Sequence, residues 1–348
     1  MEIKRAIRLG AVTCLVSLAA VWSPGSQAKD VVMYTADGLE SFYQQIMPAF
    51  ERETGMRVVR VTGGSGAVVN RLEIQRDQPK ADVLVTLPPF MQQAVAKGLL
   101  VNYVSSQDSA IPMSNKGKDG AYYSFMNNYF SFIHNPKIVK NPPKYFSELL
   151  KPEYKDKIAY SNPLTAGDGM SVINLLVNLK GEQKAFEYLA KLEPNVKFHT
   201  KGTGALDVMV SRGEIEIANG DLQMDLADEN QGGLSIKPFF LTVEGEKPST
   251  FKLPYFVALV KDGPNAEGGK KLIDYLLSKT VQQQDLGFFG EPARSDVTLT
   301  GKNGEQLKAL LGKANIIEID WDAVLKQQAG WEKKWRNSVV NASITEGQ

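Results

Sequence analysis

The chain has 348 residues, 43% hydrophobic and 23% charged, which excludes a disordered chain and a single small core and points to about two domains. Its 40 basic and 39 acidic side chains nearly cancel, and without residues 1–28 (three basic, one acidic) they stand at 37 against 38, so nothing draws the chain globally to nucleic acid or to an anionic membrane. The only cysteine, Cys14, lies in that same stretch, so the remainder has neither disulfide nor thiol chemistry.

Residues 1–28 read as a secretory signal peptide. Lys4, Arg5 and Arg8 form a basic start, and Gly10 to Val21 is an apolar run too short for a comfortable membrane span. Pro24 and Gly25 break any helix, and Ser26-Gln27-Ala28 offers small residues for cleavage before Lys29. No Leu-x-x lipoprotein pattern precedes Cys14. A disulfide-free exported chain of this size predicts a bacterial periplasm.

Val31 to Thr35 predicts a strand ended by Asp37-Gly38, and Leu39 to Thr54 a helix with Phe42, Ile46 and Phe50 on one face and Gly55 as its C-cap. Val58 to Leu72 then reads as strand, tight turn and helix start. Val58, Val59 and Val61 suit a buried strand, Gly63, Gly64 and Gly66 permit close backbone approach, and Val68, Val69 and Leu72 share a helical face that runs on to about Asp77. Such a turn gathers free N–H groups at a positive dipole end, which suits a phosphate, phosphonate or carboxylate. A plain βα turn that merely needs glycine fits the stretch equally well. It matches neither G-x-x-x-x-G-K-[ST] nor a full G-x-G-x-x-G, so no nucleotide fingerprint is present. Ala81 to Thr86 predicts a further strand and Pro89 to Lys97 a helix ending at Gly98. This alternation argues for parallel strands joined by crossovers, with Tyr34, Thr62 and Thr86 along the edge where open α/β sheets bind ligands.

Residues 102–120 are polar and turn-rich. Asn128 to Asn135 predicts a long strand, a short helix follows around Tyr145 to Leu150, and Ile158 to Tyr160 is a strand. Asn162 to Gly169 is a second small-residue turn, leading into a helix from Met170 to Leu179. After a helix near Gln183 to Leu192 and the strand Val196 to Phe198, Thr200 to Leu206 makes a third. Ile215 to Ala218 predicts a strand ended by the turn Asn219-Gly220-Asp221, and Pro254 to Val260 an apolar strand. The rest reads as helices over Asn265 to Ser278, Thr280 to Gly287, Gln306 to Leu311 and Trp321 to Val339. These C-terminal helices have no sheet of their own and must return to cover the first set. The predicted organisation is a first lobe of residues 29–127 and 261–348 and a second of 128–260, with the strands at 128–135 and 254–260 crossing between them as a hinge.

Three glycine-rich helix starts facing one another across a cleft would make an anion pocket without many basic side chains. Thr62, Ser65, Thr165, Thr200 and Thr203 add hydroxyl donors. Asp221 and Asp37 offer partners for a cation, and Tyr34 and Tyr255 could pack on an aliphatic or ammonium group. Each aspartate also has a simpler reading, turn chemistry or capping for Asp37 and Asp221 and a helix N-cap or first-turn place for Asp168. Catalysis fares poorly. His134 and His199 lack metal-ligand spacing, and H-E-x-x-H, G-x-S-x-G and Ser-x-x-Lys with its companions are absent. No histidine is placed to activate Ser65, and Trp321, Trp331 and Trp335 fall at helical spacing, as packing residues do.

The leader, the two-lobe alternation and the crossing strands together resemble a periplasmic solute-binding protein of an ABC importer, of type II topology, in the ferric-iron-binding-like branch. The resemblance covers essentially the whole chain after the leader and implies an α/β fold of two lobes, each a mostly parallel sheet flanked by helices, joined by two crossing strands. Gly63-Gly64-Ser65-Gly66-Ala67-Val68-Val69-Asn70-Arg71-Leu72, Ala81-Asp82-Val83-Leu84-Val85-Thr86-Leu87-Pro88-Pro89-Phe90, Gly213-Glu214-Ile215 with Ala218-Asn219-Gly220-Asp221-Leu222-Gln223-Met224, and Pro292-Ala293-Arg294-Ser295-Asp296-Val297 are similar to the 2-aminoethylphosphonate-binding proteins of phosphonate importers. Iron-binding relatives carry adjacent tyrosines where this chain has Gly220-Asp221, and Tyr122-Tyr123 lie elsewhere. The resemblance implies a small zwitterion as ligand, its phosphonate on Ser65, Gly66, Thr165, Gly167, Asp168, Gly169 and Thr203 near the end of the strand at Thr86, its ammonium on Asp221, and Tyr34 and Tyr255 as walls. It implies a monomer that serves an ABC permease in the inner membrane, with no cofactor, metal, nucleic acid or chemistry on the ligand. The same fold binding phosphate, an organophosphate, a carboxylate or ferric iron stays open, as does an exported phosphoester hydrolase.

Overall fold

The computed structural model describes residues 29–341. The signal peptide expected over 1–28 lies outside them.

The chain opens with β1 (Val31–Ala36), α1 (Glu40–Thr54), β2 (Val58–Gly63), α2 (Ser65–Ile74), β3 (Val83–Thr86), α3 (Phe90–Ala96) and the short β4 (Leu100–Val101). Phe42, Tyr43, Ile46, Met47 and Phe50 form the buried face of α1, and Gly55 ends it in the left-handed region at φ 69°. Single helical turns fill much of residues 102–120. Then follow β5 (Tyr123–Asn127), β6 (Phe130–His134), β7 (Ile158–Ser161), α4 (Gly167–Lys180), α5 (Glu182–Leu192), β8 (Val196–Thr200), α6 (Leu206–Arg212), β9 (Ile217–Asp221) and α7 (Leu222–Asn230). The chain continues with β10 (Lys237–Phe239), β11 (Ser249–Phe251), β12 (Tyr255–Val260), α8 (Ala266–Leu276), α9 (Lys279–Asp285), β13 (Glu291–Pro292), α10 (Gly301–Leu311), β14 (Asn315–Ile317) and α11 (Trp321–Trp335).

Two main sheets make a two-lobe α/β molecule. The first runs β13-β5-β12-β3-β1-β2 with β4 beside β12, the second β10-β6-β9-β7-β8. Their parallel cores, β2-β1-β3 and β9-β7-β8, are the strands joined by helical crossovers, and antiparallel strands extend each core. In the first core Ala36 pairs with Gly63, so the carboxyl ends of β1 and β2 stand level at one edge.

The crossings differ from the expected strands. The stretch predicted at 128–135 begins as a link, because Asn128 and Tyr129 separate β5 in the first sheet from β6 in the second. The link is anchored on α7, where Asn128 Oδ1 accepts from the Gln223 amide and the Tyr129 carbonyl from the Leu222 amide. β12, expected in the second lobe, pairs with β3 and β5 of the first sheet. The return crossing is therefore residues 252–254, and it pairs with the outgoing one: Tyr129 bridges Lys252, and the Leu253 amide donates to the Asn128 carbonyl at 2.8 Å. Helices α8 and α9 cover the first sheet as expected. α11 does more. It packs on α3, while Trp335 at its end donates through Nε1 to the Tyr160 hydroxyl of β7 at 2.8 Å.

Candidate functional site

The carboxyl ends of β1, β2 and β3 meet the starts of α4 and α7 and the loop after β8, so the site lies between the lobes. Gly64 precedes α2 in extended conformation, and a Cβ there would fall 2.4 Å from the Thr165 carbonyl oxygen and 2.6 Å from that of Lys201, so only glycine admits this approach. The Gly66 and Ala67 amides of α2 donate to the Thr165 carbonyl at 2.9 and 3.3 Å. One of the three expected anion seats is thus met by the opposite lobe. Thr86 donates its hydroxyl to the Ser65 carbonyl at 3.1 Å and steadies this turn from behind. Ser65 Oγ accepts from the Leu87 amide at 3.4 Å and lies against Gly167.

α4 begins three residues earlier than its apolar pattern implies. Ala166 at its N-cap offers no side chain, and no acceptor meets the amides of Gly167, Asp168 and Gly169 among the described residues. Gly169 packs so tightly on β7 that a Cβ would lie 2.2 Å from the Ser161 carbonyl oxygen. The start of α4 is therefore an unfilled set of donors with the Ser65 hydroxyl beside it.

Carboxylates gather next to these donors. Asp168 is no cap: Oδ2 accepts from Thr203 Oγ1 at 2.8 Å, and the buried Oδ1 has no partner. Asp221 ends β9 and caps α7, Oδ1 accepting from the Met224 amide at 3.2 Å and Oδ2 from the Tyr255 hydroxyl at 2.6 Å. The expected turn at residues 219–221 is therefore the last part of the strand. Asp37, partly exposed after β1, accepts from the Gly204 amide of the other lobe at 2.9 Å. Behind them, Asp225 accepts from Ser131 and from the Asp221 amide, and the fully buried Asp207 has both oxygens without a partner. None of the five carboxylates forms an ion pair among the described residues. Burial, reinforced by the charge of Asp221, holds the Asp168 carboxyl well above the usual range. Burial lifts Asp221 to about 7 against the pull of its bonds from Tyr255 and Met224, and burial raises Asp37 as well.

The structure thus brings together Ser65, Gly66, Thr165, Gly167, Asp168, Gly169, Thr203, Asp221 and Tyr255, with Thr86 one layer back. Thr165 contributes its carbonyl, its hydroxyl being turned to the Lys201 carbonyl at 2.8 Å. Tyr34 is elsewhere. Its ring packs under α2 with the Arg71 guanidinium 5.2 Å from its centroid, and its hydroxyl donates to Gln75, so it walls no cleft. The alternation of β1 turns Thr35 toward Tyr43 of α1 and Tyr34 toward α2. Asp37, offered from the sequence both as a partner for a cation and as a turn residue, joins the site, and Gly204 with it, although its amide goes to the Asp37 carboxylate. The histidines stay outside it, His134 bonded to the Val139 carbonyl and His199 to Glu193 and the Tyr160 carbonyl. Tyr122 and Tyr123 point within the first lobe, to Gln92 and to Ser105 and Asp108.

A family model described as bacterial extracellular solute-binding protein matches residues 78–327. A Salmonella typhimurium protein, provisionally named 2-aminoethylphosphonate-binding periplasmic protein, is 39% identical over 329 residues, covering 92% of this chain and 96% of its own. Among solved structures, the periplasmic binding protein AfuA from Actinobacillus pleuropneumoniae, with exogenous fructose-6-phosphate bound, superposes with a TM-score of 0.78 at 21% identity, over 89% of this chain and 98% of its own. The apo ferric ion-binding protein A of Pasteurella haemolytica gives a TM-score of 0.69 at 18% identity, again over 89% and 98%. At these identities the two structures establish the shared two-lobe fold.

Proposed function

The chain belongs to the bacterial extracellular solute-binding proteins, and from that premise we propose that it captures 2-aminoethylphosphonate, or a close aminophosphonate, in the cleft between its lobes. It is the solute-binding component of an ABC importer. The observation that carries the ligand reading is the juxtaposition of opposite needs. Three unmet amides and a serine hydroxyl at the start of α4 suit an oxyanion, and beside them stand carboxylates with no cationic partner. A simple anion would satisfy the first and aggravate the second, whereas a zwitterion answers both. The name of the Salmonella typhimurium relative supports the same ligand.

On this reading the phosphonate sits on the start of α4 with Ser65, and the ammonium meets Asp221 under the Tyr255 hydroxyl. The chain is exported through a cleavable leader, works as a monomer in the periplasm, hands its ligand to an inner-membrane permease and does no chemistry on it. The test is calorimetric titration of residues 29–348 with 2-aminoethylphosphonate, ethylphosphonate and phosphate in parallel. Saturable binding of the amino compound alone is expected. Equal binding of ethylphosphonate would remove the carboxylates from recognition, and no heat from any of the three would overturn the ligand assignment while leaving the family intact.

A further inference from the structure

The carboxylates are divided between the lobes. Asp37 follows β1 on the first, while Asp168 and Asp221 stand on α4 and at the end of β9 on the second. Closure presses them together: the Gly204 amide reaches Asp37 from the second lobe, and Tyr255 from the first lobe reaches Asp221. The charged groups that bear most strongly on them are themselves acidic. Glu40 of α1 bears on Asp37, Asp225 on Asp168 and Asp221, and Asp207 stands behind Asp221 and Asp225 with Asp228 beyond it. Asp168, only 3% exposed, keeps one oxygen without any donor. A closed cleft with three ionised carboxylates and nothing between them is repulsive.

We propose that Asp37 on one lobe and Asp168 with Asp221 on the other form a charge latch, which holds the ligand-free lobes apart and closes on a primary ammonium placed between them. This rests on the reading above that the ligand carries such a group. A primary ammonium brings three N–H donors, and the free Asp168 oxygen is the acceptor already waiting for one of them. Asp168 is thereby a specificity-determining residue. A quaternary amine, with no N–H to give, leaves that oxygen buried and unmet.

The decisive measurement is small-angle X-ray scattering of ligand-free residues 29–348. At pH 8 the unliganded chain is expected to be open, contracting on addition of 2-aminoethylphosphonate. Asp37→Asn and Asp168→Asn should each contract without ligand, and the unsubstituted chain should contract on lowering the pH to 5, an arm that does not depend on a variant folding. Asp168→Asn should also weaken 2-aminoethylphosphonate by about 10-fold or more while sparing ethylphosphonate, as loss of one charge-assisted bond does. A ligand-free chain already compact at pH 8, or one that stays open both at pH 5 and in the two variants, overturns the latch. The ligand-free arms read closure whatever the ligand is, so failure of the latch and failure of the aminophosphonate assignment are told apart.

Discussion

Asp221 combines two roles that pull in opposite directions, helix cap and buried charge. As a cap it is best ionised, yet burial holds its carboxyl at about 7. The consequence for stability has a definite sign. Between the unfolded value, about 3.9, and about 7 the folded chain holds a proton that the unfolded chain has released, so stability falls as pH rises through that window. Asp37, Asp168, Asp225 and Asp207 are raised too and act in the same direction. The melting temperature of the ligand-free protein should therefore drop from pH 4.5 to 7.5, and Asp221→Asn should flatten the drop, both read by calorimetric scanning; a rise would refute the assignment. The same variant should weaken 2-aminoethylphosphonate by roughly 10-fold or more and leave ethylphosphonate unchanged, since it removes a charge that only the ammonium uses. At this scale the sequence was partly legible. Asp221 in a short turn near a cleft could be picked out, but Asp168 reads as a helix-start residue because nothing local shows that its partner is Thr203, 35 positions away. Tyr34 misleads for a different reason. β1 is covered by helices on both faces, so its apolar pattern carries no mark of which face meets the cleft.

The elements that position the site are strand–turn–helix units, and their glycines are where the lobes meet. Gly64→Ala puts a methyl group into two backbone carbonyls of the opposite lobe, which cannot swing aside as a side chain could. Full closure should fail, and ligand affinity should fall by about 10-fold or more at a ligand-free melting temperature near that of the unsubstituted protein, because the clash exists only in the closed form. Calorimetry and thermal scanning separate these effects; a large loss of ligand-free stability would mean that the glycine serves the turn itself. The sequence announces these units through β-branched strands, small-residue turns and periodic helices. It conceals α7. Leu222 to Ala227 are all buried, polar residues among them, so no amphipathic stripe marks the helix that carries Asp225 and follows Asp221. β5 was missed likewise: Tyr123–Asn127 carries no clear alternation, and the strand expected from Asn128 takes in the two-residue link before β6 begins at Phe130.

For the molecule as a whole, closure needs two lobes that move and connections that limit how. The paired crossings at 128–129 and 252–254 make the hinge, and the C-terminal helix adds a third tie. Trp321 at its start stacks edge-on against Phe251 near the return crossing, and the helix continues past α3 to the second lobe. There the Trp335 ring, 3% exposed, lies edge-on to His199 and Tyr160 and donates to the Tyr160 hydroxyl, while Lys334 pairs with Glu182 of α5. Fully burying a large apolar side chain contributes about 1.5–3 kcal/mol, and a net hydrogen bond about 1 kcal/mol, whereas the half-exposed Lys334 pair adds little. Trp335→Ala should thus cost about 3–5 kcal/mol in denaturant unfolding, as large aromatic deletions do, and Trp335→Phe, which keeps most of the ring contact, roughly 1–2 kcal/mol. Trp335 does not touch the ligand site, so in both variants affinity in the closed form should survive. What should change is the cost of opening: a helix fixed to both lobes strains or detaches when they part, and Trp335→Phe should lower that cost and shift the ligand-free chain further open in scattering at pH 8. Unchanged scattering with reduced stability would make α11 a cover for both lobes rather than a restraint between them.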